Sequence, residues 1–256
     1  MDAGLEGHGV LVTGGAGGIG TAIVRAFAGE GARVAVHYRS SEALATELAA
    51  EVGGVAVGAD LTIESEADAL VPAAVAGLGR LDVVVANAGY WPTDDRPIWD
   101  LSLDRFESIV KSNLTVAFLT ARGFFRHVKD TGAGSLVFVG STAGAYGEAG
   151  HADYAAAKGG IISGLLLSAK NEAARIGPRV RVNAVNPGWT VTPKRAEEGI
   201  TPEHFAWATS TMALKKLGRP EDVASQIVVL SSEKLSGHVT GQVVMVAGGM
   251  EGRLIG

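Results

Sequence analysis

The sequence contains no cysteine, which excludes disulfide bonds, thiolate metal sites and a cysteine nucleophile. Long apolar runs are also absent, because the most apolar stretch, GIISGLLLSA, is much shorter than a membrane span. Lysine and arginine form no basic run, and the net charge is −5, so no nucleic-acid surface is predicted. The N-terminal segment MDAGLEGHGV lacks the basic and apolar parts of a signal peptide. We therefore expect a cytoplasmic protein without a membrane or nucleic-acid partner.

Charged and aromatic residues are sparse, whereas apolar residues are abundant. Charged residues make up 19% of the chain, aromatic residues 6% and hydrophobic residues 47%, which predicts a sizeable core and argues against disorder. The 256 residues fit one large domain, and no low-complexity linker or repeat divides them. We expect residues 1–256 to form a single domain.

Short β-branched runs alternate along the chain with longer segments of helical periodicity. Predicted strands cover 9–13, 33–38, 54–60, 81–89, 134–141, 179–188 and the late segment GQVVMVAGG. Predicted helices cover 20–29, 41–51, 64–78, 102–129, 152–176 and 220–232. This alternation predicts an α/β fold, a doubly wound parallel sheet with helices on both faces. Ligands bind beyond the carboxyl ends of such strands, so one crevice is expected at 14–20, 38–40, 60–61, 87–89, 141 and 186–192.

The segment VTGGAGGIG, which follows the first predicted strand, contains two glycine patterns. Gly15, Gly17 and Gly20 fit the G-x-G-x-x-G spacing of a dinucleotide-binding turn, whereas Gly14, Gly18 and Gly20 fit a looser spacing. The glycines alone indicate only a tight turn that something approaches closely. A methyltransferase turn, or a turn without a ligand, therefore remains an alternative at this point.

The second predicted strand ends in HYRS, where a dinucleotide turn normally has an acidic residue for the adenosine ribose. Tyr38 occupies that position, and Arg39 follows it. The dinucleotide pattern is thus incomplete, and the glycine spacing by itself does not identify the ligand.

Tyr154 and Lys158 lie four residues apart in DYAAAK, on one face of a predicted helix. Ser141 ends a predicted strand, so these three side chains are expected to meet at the crevice. Together with other motifs, they resemble the short-chain dehydrogenase/reductase family over nearly the full length of the chain. The matching motifs are TGGAGGIG, ADLT, NAG, KSNLTVAF, STAG, YAAAK, NPG and TGQVVMVAGG, in this order. One departure is Ala86, where many relatives have a second asparagine.

The resemblance implies a Rossmann-type enzyme that transfers hydride between a nicotinamide cofactor and a carbonyl or secondary alcohol. It makes Tyr154 the general acid and base, Ser141 a hydrogen-bond donor to the substrate oxygen, and Asn113 the holder of a water on the proton path. A free tyrosine titrates near ~10, and Lys158 with the positive nicotinamide is expected to lower this pKa. Lys158 is also expected to hold the nicotinamide ribose.

The resemblance also selects the looser glycine pattern and implies a set of cofactor-binding residues. Backbone N–H groups at the start of the first helix would bind the pyrophosphate, and Asp60 would accept the adenine amino group. Thr192 would bond the nicotinamide amide or the phosphates, with an ordinary loop hydroxyl as the alternative. The full predicted set is Gly14, Gly18, Ile19, Gly20, Tyr38, Arg39, Ser40, Asp60, Leu61, Asn87, Gly89, Tyr154, Lys158, Pro187, Gly188 and Thr192.

Tyr38, Arg39 and Ser40 favour NADP(H), because a guanidinium binds a 2′-phosphate that an acidic residue would repel. Gly17 argues for NAD(H), since NADP-preferring relatives often carry a basic residue at this position. Arg39 pointing to water is the alternative, so NAD(H) remains possible. No metal is expected, because the histidines show no paired ligand spacing, and His151 is interpreted as a helix-start residue.

Two loops, 90–100 and 189–212, are expected to enclose a small-molecule substrate. All four tryptophans of the chain lie in them. This clustering predicts either an apolar pocket for a ring-bearing alcohol or ketone, or a lid that covers core. The loops contain Tyr90, Trp91, Trp99, Trp189, Phe205, Trp207 and Met212.

Gly159, Gly160 and Gly164 interrupt the predicted helix 152–176, where each glycine costs ~1 kcal/mol relative to alanine. Close packing against another element explains such glycines, either inside the chain or between copies. Relatives form dimers or tetramers through this helix and the long one before it, so we expect a homotetramer, with a dimer as the second choice. Two other functions remain open on the same fold, a non-catalytic nucleotide-binding sensor or scaffold and a non-redox lyase or epimerase.

Overall fold

Seven parallel strands form one sheet in the order β3-β2-β1-β4-β5-β6-β7. The computed structural model describes residues 2–250, apart from the side chains of Lys194 and Glu198. The strands are β1 (Gly9–Val12), β2 (Arg33–Tyr38), β3 (Val55–Gly58), β4 (Val83–Ala86), β5 (Ala133–Val139), β6 (Arg179–Pro187) and β7 (Val243–Val246). Strand order reverses between β1 and β4, which places the expected crevice at their carboxyl ends.

Helices connect the strands and cover both faces of the sheet, which confirms the predicted doubly wound fold. Those before β6 are α1 (Gly18–Gly29), α2 (Glu42–Glu51), α3 (Glu64–Leu78), α4 (Leu103–Val110), α5 (Val116–Thr131), α6 (Thr142–Tyr146), α7 (Ala152–Gly159) and α8 (Leu166–Ile176). Those after it are α9 (Pro193–Glu198), α10 (Pro202–Thr209), α11 (Pro220–Ser231) and α12 (Glu233–Ser236). Among the helices of residues 2–250, none combines the length and the apolar character that a membrane crossing requires.

The core consists of two apolar layers, one on each face of the sheet. Alternate residues of a strand point to opposite faces, so Leu11 joins the layer beneath α3, α5 and α8, whereas Val10 and Val12 join the layer beneath α1, α2 and α11. Because both faces are covered, the central strands consist of continuous β-branched runs rather than alternating apolar and polar residues. The rigid sheet holds the carboxyl-edge loops in place.

The predicted long helices 102–129 and 152–176 are each interrupted by π-helical turns, at Lys111–Thr115 and Gly160–Leu165. The sequence carries no pattern that marks a π turn, so their interruption was not predicted. The loop 189–212 also differs from expectation, since it contains α9 and α10. Both begin at a proline preceded by threonine, and this pairing of a capping residue with proline at the first helical position is a signal for a helix start.

Candidate functional site

The turn that follows β1 is built so closely that it requires glycine. Gly14 has a φ of +62°, a left-handed conformation that side chains other than glycine rarely adopt. A Cβ on Gly20 would collide with the Gly14 carbonyl oxygen, and a Cβ on Gly18 would lie 2.6 Å from the Thr192 side chain. Gly17 is less restricted, with its nearest neighbour at 3.2 Å. The turn therefore fits the spacing of Gly14, Gly18 and Gly20.

The start of α1 offers an uncompensated positive helix end. Gly17 caps this helix without a side-chain hydrogen bond, and the first turn contains no acidic residue. The partial charge of the helix N-terminus is thus available to an anion. Ile19, in the same turn, packs on the core beneath α1 and anchors this end of the helix.

His37 supports the glycine turn from β2 and is a site residue that the sequence reasoning missed. Its Nδ1 accepts a hydrogen bond of 2.9 Å from the Gly14 N–H, and its Nε2 donates to the Ala59 carbonyl at 3.0 Å. This pattern requires the neutral imidazole, and burial lowers the pKa of His37. The available signal was one polar residue in the otherwise apolar core of RVAVHY.

Replacing His37 with asparagine is expected to make folding less sensitive to acid. Because the folded-state pKa of His37 lies below its ordinary value of ~6.5, the unfolded chain binds more protons below that pH. Wild-type stability should therefore fall as the pH falls below about 6.5, whereas asparagine keeps an acceptor for Gly14 and does not titrate. Urea unfolding of the cofactor-free protein at pH 7 and 5.5 measures this. Equal losses in both proteins would exclude His37 as the responsible group.

The loop after β4 is tied to the glycine turn and leads to the catalytic candidates. The Asn87 side chain donates hydrogen bonds to the Thr13 carbonyl at 2.9 Å and to the Gly14 carbonyl at 3.1 Å. A Cβ on Gly89 would lie 2.6 Å from Asn113 Oδ1, so only glycine allows this approach. Asn87 and Gly89 thus lie beside the crevice, where the cofactor floor was predicted.

The ends of β2 and β3 form the rim next to this floor. Arg39 and Ser40 are exposed, whereas Leu61 is buried in the core. Asp60 Oδ1 accepts hydrogen bonds from the backbone and hydroxyl of Thr62, at 2.9 and 2.7 Å. These bonds, with a smaller contribution from the charge of Arg39, lower the pKa of Asp60. The carboxylate is therefore fixed and ionised at neutral pH.

Ser141, Tyr154 and Lys158 meet where β5 ends. Ser141 caps α6, and its Oγ accepts a hydrogen bond from the Ala143 N–H at 3.1 Å. Tyr154 projects from α7 and is close enough to Ser141 for the serine side chain to influence its pKa. Lys158 Nζ lies 5.7 Å from the centre of the Tyr154 ring and donates to the Val139 carbonyl at 2.9 Å.

Burial shifts the pKa values of Tyr154 and Lys158 in opposite directions. Burial raises the pKa of Tyr154 to about 12, with the Ser141 hydrogen bond lowering it and the Glu148 charge raising it. Burial also lowers the pKa of Lys158 to about 8. The expected lowering of the tyrosine pKa by Lys158 is therefore not found in the protein alone. The cost of burying the phenolate raises the Tyr154 pKa more than the charge of Lys158 could lower it, because burial also disfavours the charged form of the lysine.

Asn113 lies in the π-helical turn Lys111–Thr115 and is fully buried. Its side-chain amide donates to the Tyr90 carbonyl at 2.9 Å and to the Ile109 carbonyl at 3.0 Å. Its Oδ1 accepts the Tyr90 N–H at 3.2 Å. The side chain thus holds the loop after Gly89, and the predicted water on the proton path stays a prediction.

The loop after β6 reaches the glycine turn. The Gly188 N–H donates to the Val246 carbonyl at 3.0 Å, which turns the chain directly after Pro187. Thr192 then contacts Gly18, so its side chain lies against the start of α1. All predicted cofactor residues on these loops therefore border the same carboxyl edge of the sheet.

Aromatic side chains from both predicted substrate loops contact one another. The ring centres of Trp91 and Trp189 are 6.5 Å apart, and those of Trp189 and Trp207 are 5.2 Å apart. Trp99, in contrast, is 81% exposed, and Met212 is 1% exposed and part of the core. Three of the tryptophans therefore form one contact cluster, whereas Met212 covers core. Within residues 2–250, no group of three or more acidic or histidine side chains could hold a metal.

Comparison with known proteins agrees with this arrangement. A family model described as enoyl-(acyl carrier protein) reductase matches residues 14–251. A 3-oxoacyl-[acyl-carrier-protein] reductase of Synechocystis is 34% identical over 245 residues, covering 94% of this chain and 95% of the relative. An L-rhamnose 1-dehydrogenase (NAD(P)(+)) of Azotobacter vinelandii is 36% identical, covering 94% and 95%. A cis-4-hydroxycyclohexanecarboxylate dehydrogenase of Sinomonas cyclohexanicum is 36% identical, covering 93% and 94%.

Proposed function

Because the chain belongs to the short-chain dehydrogenase/reductase family, we propose that it interconverts a ketone and a secondary alcohol with Tyr154 as the proton carrier. The family match and the named relatives make it an NAD(P)-linked oxidoreductase of CH–OH and C=O groups. The assignment of Tyr154 as the proton carrier rests on its position. Its side chain is half-buried between Ser141 and Lys158, at the same edge of the sheet as the glycine turn.

The start of α1 fits the pyrophosphate of a dinucleotide, because this helix end has no side-chain cap and no acidic residue in its first turn. In our proposal, α1 and the turn hold the pyrophosphate, Asp60 receives the adenine amino group, and Lys158 bonds the nicotinamide ribose. When bound, the nicotinamide supplies or removes the hydride. Asn87, Gly89, Pro187, Gly188 and Thr192 line the remainder of the cofactor path.

Reduction of a ketone places negative charge on its oxygen, and this charge must be stabilised and protonated. Ser141 donates a hydrogen bond to that oxygen, and Tyr154 delivers the proton. A tyrosine pKa of about 12 keeps the hydroxyl protonated at neutral pH, which suits the reduction direction. Oxidation requires the phenolate, so a positive charge must be gained beside Tyr154 on assembly of the ternary complex. A charged Lys158 provides one such contribution.

Cofactor preference is proposed to be NADP(H). No carboxylate ends β2, and Arg39 and Ser40 are exposed at the rim next to Asp60. The Tyr38 ring lies against Gly58, where a Cβ would be 2.9 Å from the ring. Tyr38 is therefore held against the sheet edge, and Arg39 is an exposed cation available to a 2′-phosphate.

Replacing Arg39 with alanine is expected to weaken NADP(H) binding about ten- to a hundredfold and to leave NAD(H) binding nearly unchanged. A charge-assisted hydrogen bond of roughly 1.5–3 kcal/mol accounts for this range. Tyr38→Asp combined with Arg39→Ala should then improve NAD(H) binding, because the carboxylate accepts from both ribose hydroxyls. Fluorescence titration of both reduced cofactors measures the dissociation constants.

Arg33→Ala is the matched control, because Arg33 is exposed at the opposite end of β2. It should leave both dissociation constants unchanged. Equal losses for the two cofactors in Arg39→Ala would mean that Arg39 supports the loop instead of binding the phosphate. A wild-type protein that prefers NAD(H) would overturn the NADP(H) proposal.

We also propose a homotetramer, with a dimer as the second choice. Gly159 packs on Gly144 and Gly160 on Leu114 within the chain, but a Cβ on Gly164 would meet no atom within 4 Å. Phe118 is 46% exposed and Leu167 42% exposed, on α5 and α8. The open space beside Gly164 and the exposed side chains of Phe118 and Leu167 support association with another copy. Sedimentation equilibrium tests the mass.

A panel of ketones and secondary alcohols, followed at the nicotinamide absorbance with both cofactors, tests the function. The aromatic wall of Trp91, Trp189 and Trp207 favours ring-bearing members of the panel. Cofactor binding without any turnover would instead favour the non-catalytic sensor. Product formation without net change in the nicotinamide absorbance would favour a lyase or epimerase.

A further inference from the structure

Arg105, on α4, forms ion pairs with two carboxylates that belong to different parts of the site. Its Nε lies 2.8 Å from Asp153 Oδ2, and its Nη1 lies 2.9 Å from Asp94 Oδ2. Asp153 is in the first turn of α7, directly before Tyr154, whereas Asp94 belongs to the predicted substrate loop 90–100. One side chain therefore connects the helix of the proposed proton carrier with a segment that is expected to enclose the substrate.

The ion pair with Asp153 is the more deeply buried of the two. Asp153 is fully buried and the Arg105 side chain is 17% exposed, so salt and water screen this pair only weakly. The other carboxylate oxygen of Asp153, Oδ1, accepts a hydrogen bond of 2.8 Å from the Tyr154 N–H. The guanidinium thus holds a carboxylate that in turn holds the backbone of Tyr154.

The ion pair with Asp94 reaches a loop that is also fastened at other points. Asp94 Oδ2 lies 3.2 Å from Arg96 Nε, and the Asp94 side chain is 59% exposed. The Arg96 N–H donates to the Gly150 carbonyl at 2.9 Å, which ties the same loop to the turn before α7. Loss of the Asp94 carboxylate should therefore loosen the substrate loop without releasing it.

We propose that Arg105 is a positioning residue, which fixes Tyr154 through Asp153 and the substrate loop through Asp94. This inference rests on the proposed function and identifies what aligns the proton carrier with the substrate. Stability alone is a poor explanation for the buried pair, because well-packed neutral residues of similar volume often serve as well. A planar guanidinium can bond two carboxylates in fixed directions, which a lysine ammonium group cannot reproduce.

Arg105→Met combined with Asp153→Asn tests the connection to Tyr154. The pair of substitutions removes both buried charges, and asparagine keeps an oxygen for the Tyr154 N–H. Its free energy of unfolding in urea should be closer to wild type than that of Arg105→Met alone, which leaves the Asp153 charge buried and unpaired. We nevertheless expect kcat to fall at least ~10-fold, because the Tyr154 hydroxyl is no longer aligned. The cofactor dissociation constant should be unchanged, since Lys158 keeps its own bond to the Val139 carbonyl.

Asp94→Ala tests the connection to the substrate loop. With the most active ketone of the panel described above, we expect KM to rise about two- to fivefold at unchanged kcat, since a partly exposed ion pair accounts for this range. One ion pair thus affects kcat and the other KM, a split that a merely structural role would not produce. Arg105→Lys should show both effects.

Arg122→Met is the matched control. Arg122 also bridges two carboxylates, those of Glu64 and Asp68 on α3, at 2.7 and 2.6 Å, and its side chain is 23% exposed. Its replacement should change neither kcat nor KM. Wild-type kcat in the double variant would overturn the inference, as would a loss of kcat in Arg122→Met equal to that in the double variant.

Hydrogen–deuterium exchange of the cofactor-free protein keeps the inference separate from the proposed function. Peptides from 90–100 and 148–158 should exchange faster in the double variant than in wild type, and neither should change in Arg122→Met. Unchanged exchange of both segments in the double variant would overturn the inference, whatever the turnover. Failure of the proposed redox function would instead appear as faster exchange of these peptides with no change in nicotinamide absorbance in wild type.

Discussion

Replacing Tyr154 with phenylalanine is expected to lower turnover at least ~10²-fold while cofactor binding survives. The substitution removes the hydroxyl near Ser141 but keeps the aromatic ring that projects from α7. Proton delivery is lost, whereas the glycine turn, Asp60 and Lys158 remain in place. Single-turnover rates with an identified ketone and fluorescence titration of the cofactor provide the two measurements.

Ser141→Ala serves as the comparison, because it removes one hydrogen bond to the developing charge and leaves the proton donor. Its turnover should fall less than that of Tyr154→Phe. Loss of Ser141 should also disturb the start of α6, where its Oγ accepts the Ala143 N–H. Near-normal turnover of Tyr154→Phe would contradict the proposed mechanism, whatever the effect of the serine substitution.

Lys158→Met is expected to lose both cofactor affinity and rate, because one ammonium group serves two purposes in the proposal. It bonds the ribose, and its charge favours the phenolate of Tyr154, whose ring centre is 5.7 Å from Nζ. We expect turnover to fall by at least ~10²-fold, with any residual oxidation shifted to higher pH. Unchanged cofactor affinity together with an unchanged pH profile would assign Lys158 a structural role only.

The same substitution should stabilise the cofactor-free protein at pH 7. Burial lowers the pKa of Lys158 from 10.5 to about 8, so the folded state binds fewer protons than the unfolded state between these values. Wild-type stability should therefore rise as the pH rises from about 8 to about 10, and the cost of burying the charge is fully present at pH 7. The stabilisation from removing the buried charge is larger than the loss of the hydrogen bond to Val139. The free energy of unfolding should therefore increase by on the order of 1–2 kcal/mol.

Urea unfolding of wild type and Lys158→Met at pH 7 and pH 10 measures this gain. The difference in unfolding free energy should be larger at pH 7 and shrink at pH 10, where wild-type Lys158 is neutral in the folded state. A variant that is less stable than wild type at both pH values would show that the Val139 hydrogen bond, not the buried charge, dominates at this position.

Local sequence patterns determined the architecture and indicated which loops meet at the crevice, whereas the individual site residues were implied by the family resemblance. The β-branched runs GVLV, RVAVHY and VVVA predict buried parallel strands, because a strand covered on both faces needs apolar side chains at every position. The spacing of Tyr154 and Lys158 predicts a shared helix face, since four residues make about one turn. Loops that follow parallel strands necessarily meet at one edge, so the site residues could be grouped before their coordinates were known.

The electrostatic properties of the site were decided by the tertiary structure. Burial raises the pKa of Tyr154, which is opposite to the expected direction, and it lowers the pKa of Lys158. No local sequence pattern indicates how much hydration a side chain loses on folding. The link from His37 to Gly14, 23 residues apart, exists because two neighbouring strands end side by side. Asp95 and His151 likewise contact each other only because two long loops fold onto one edge. Sequence spacing determines which side chains share an element; packing between distant elements determines their charge, partners and surroundings.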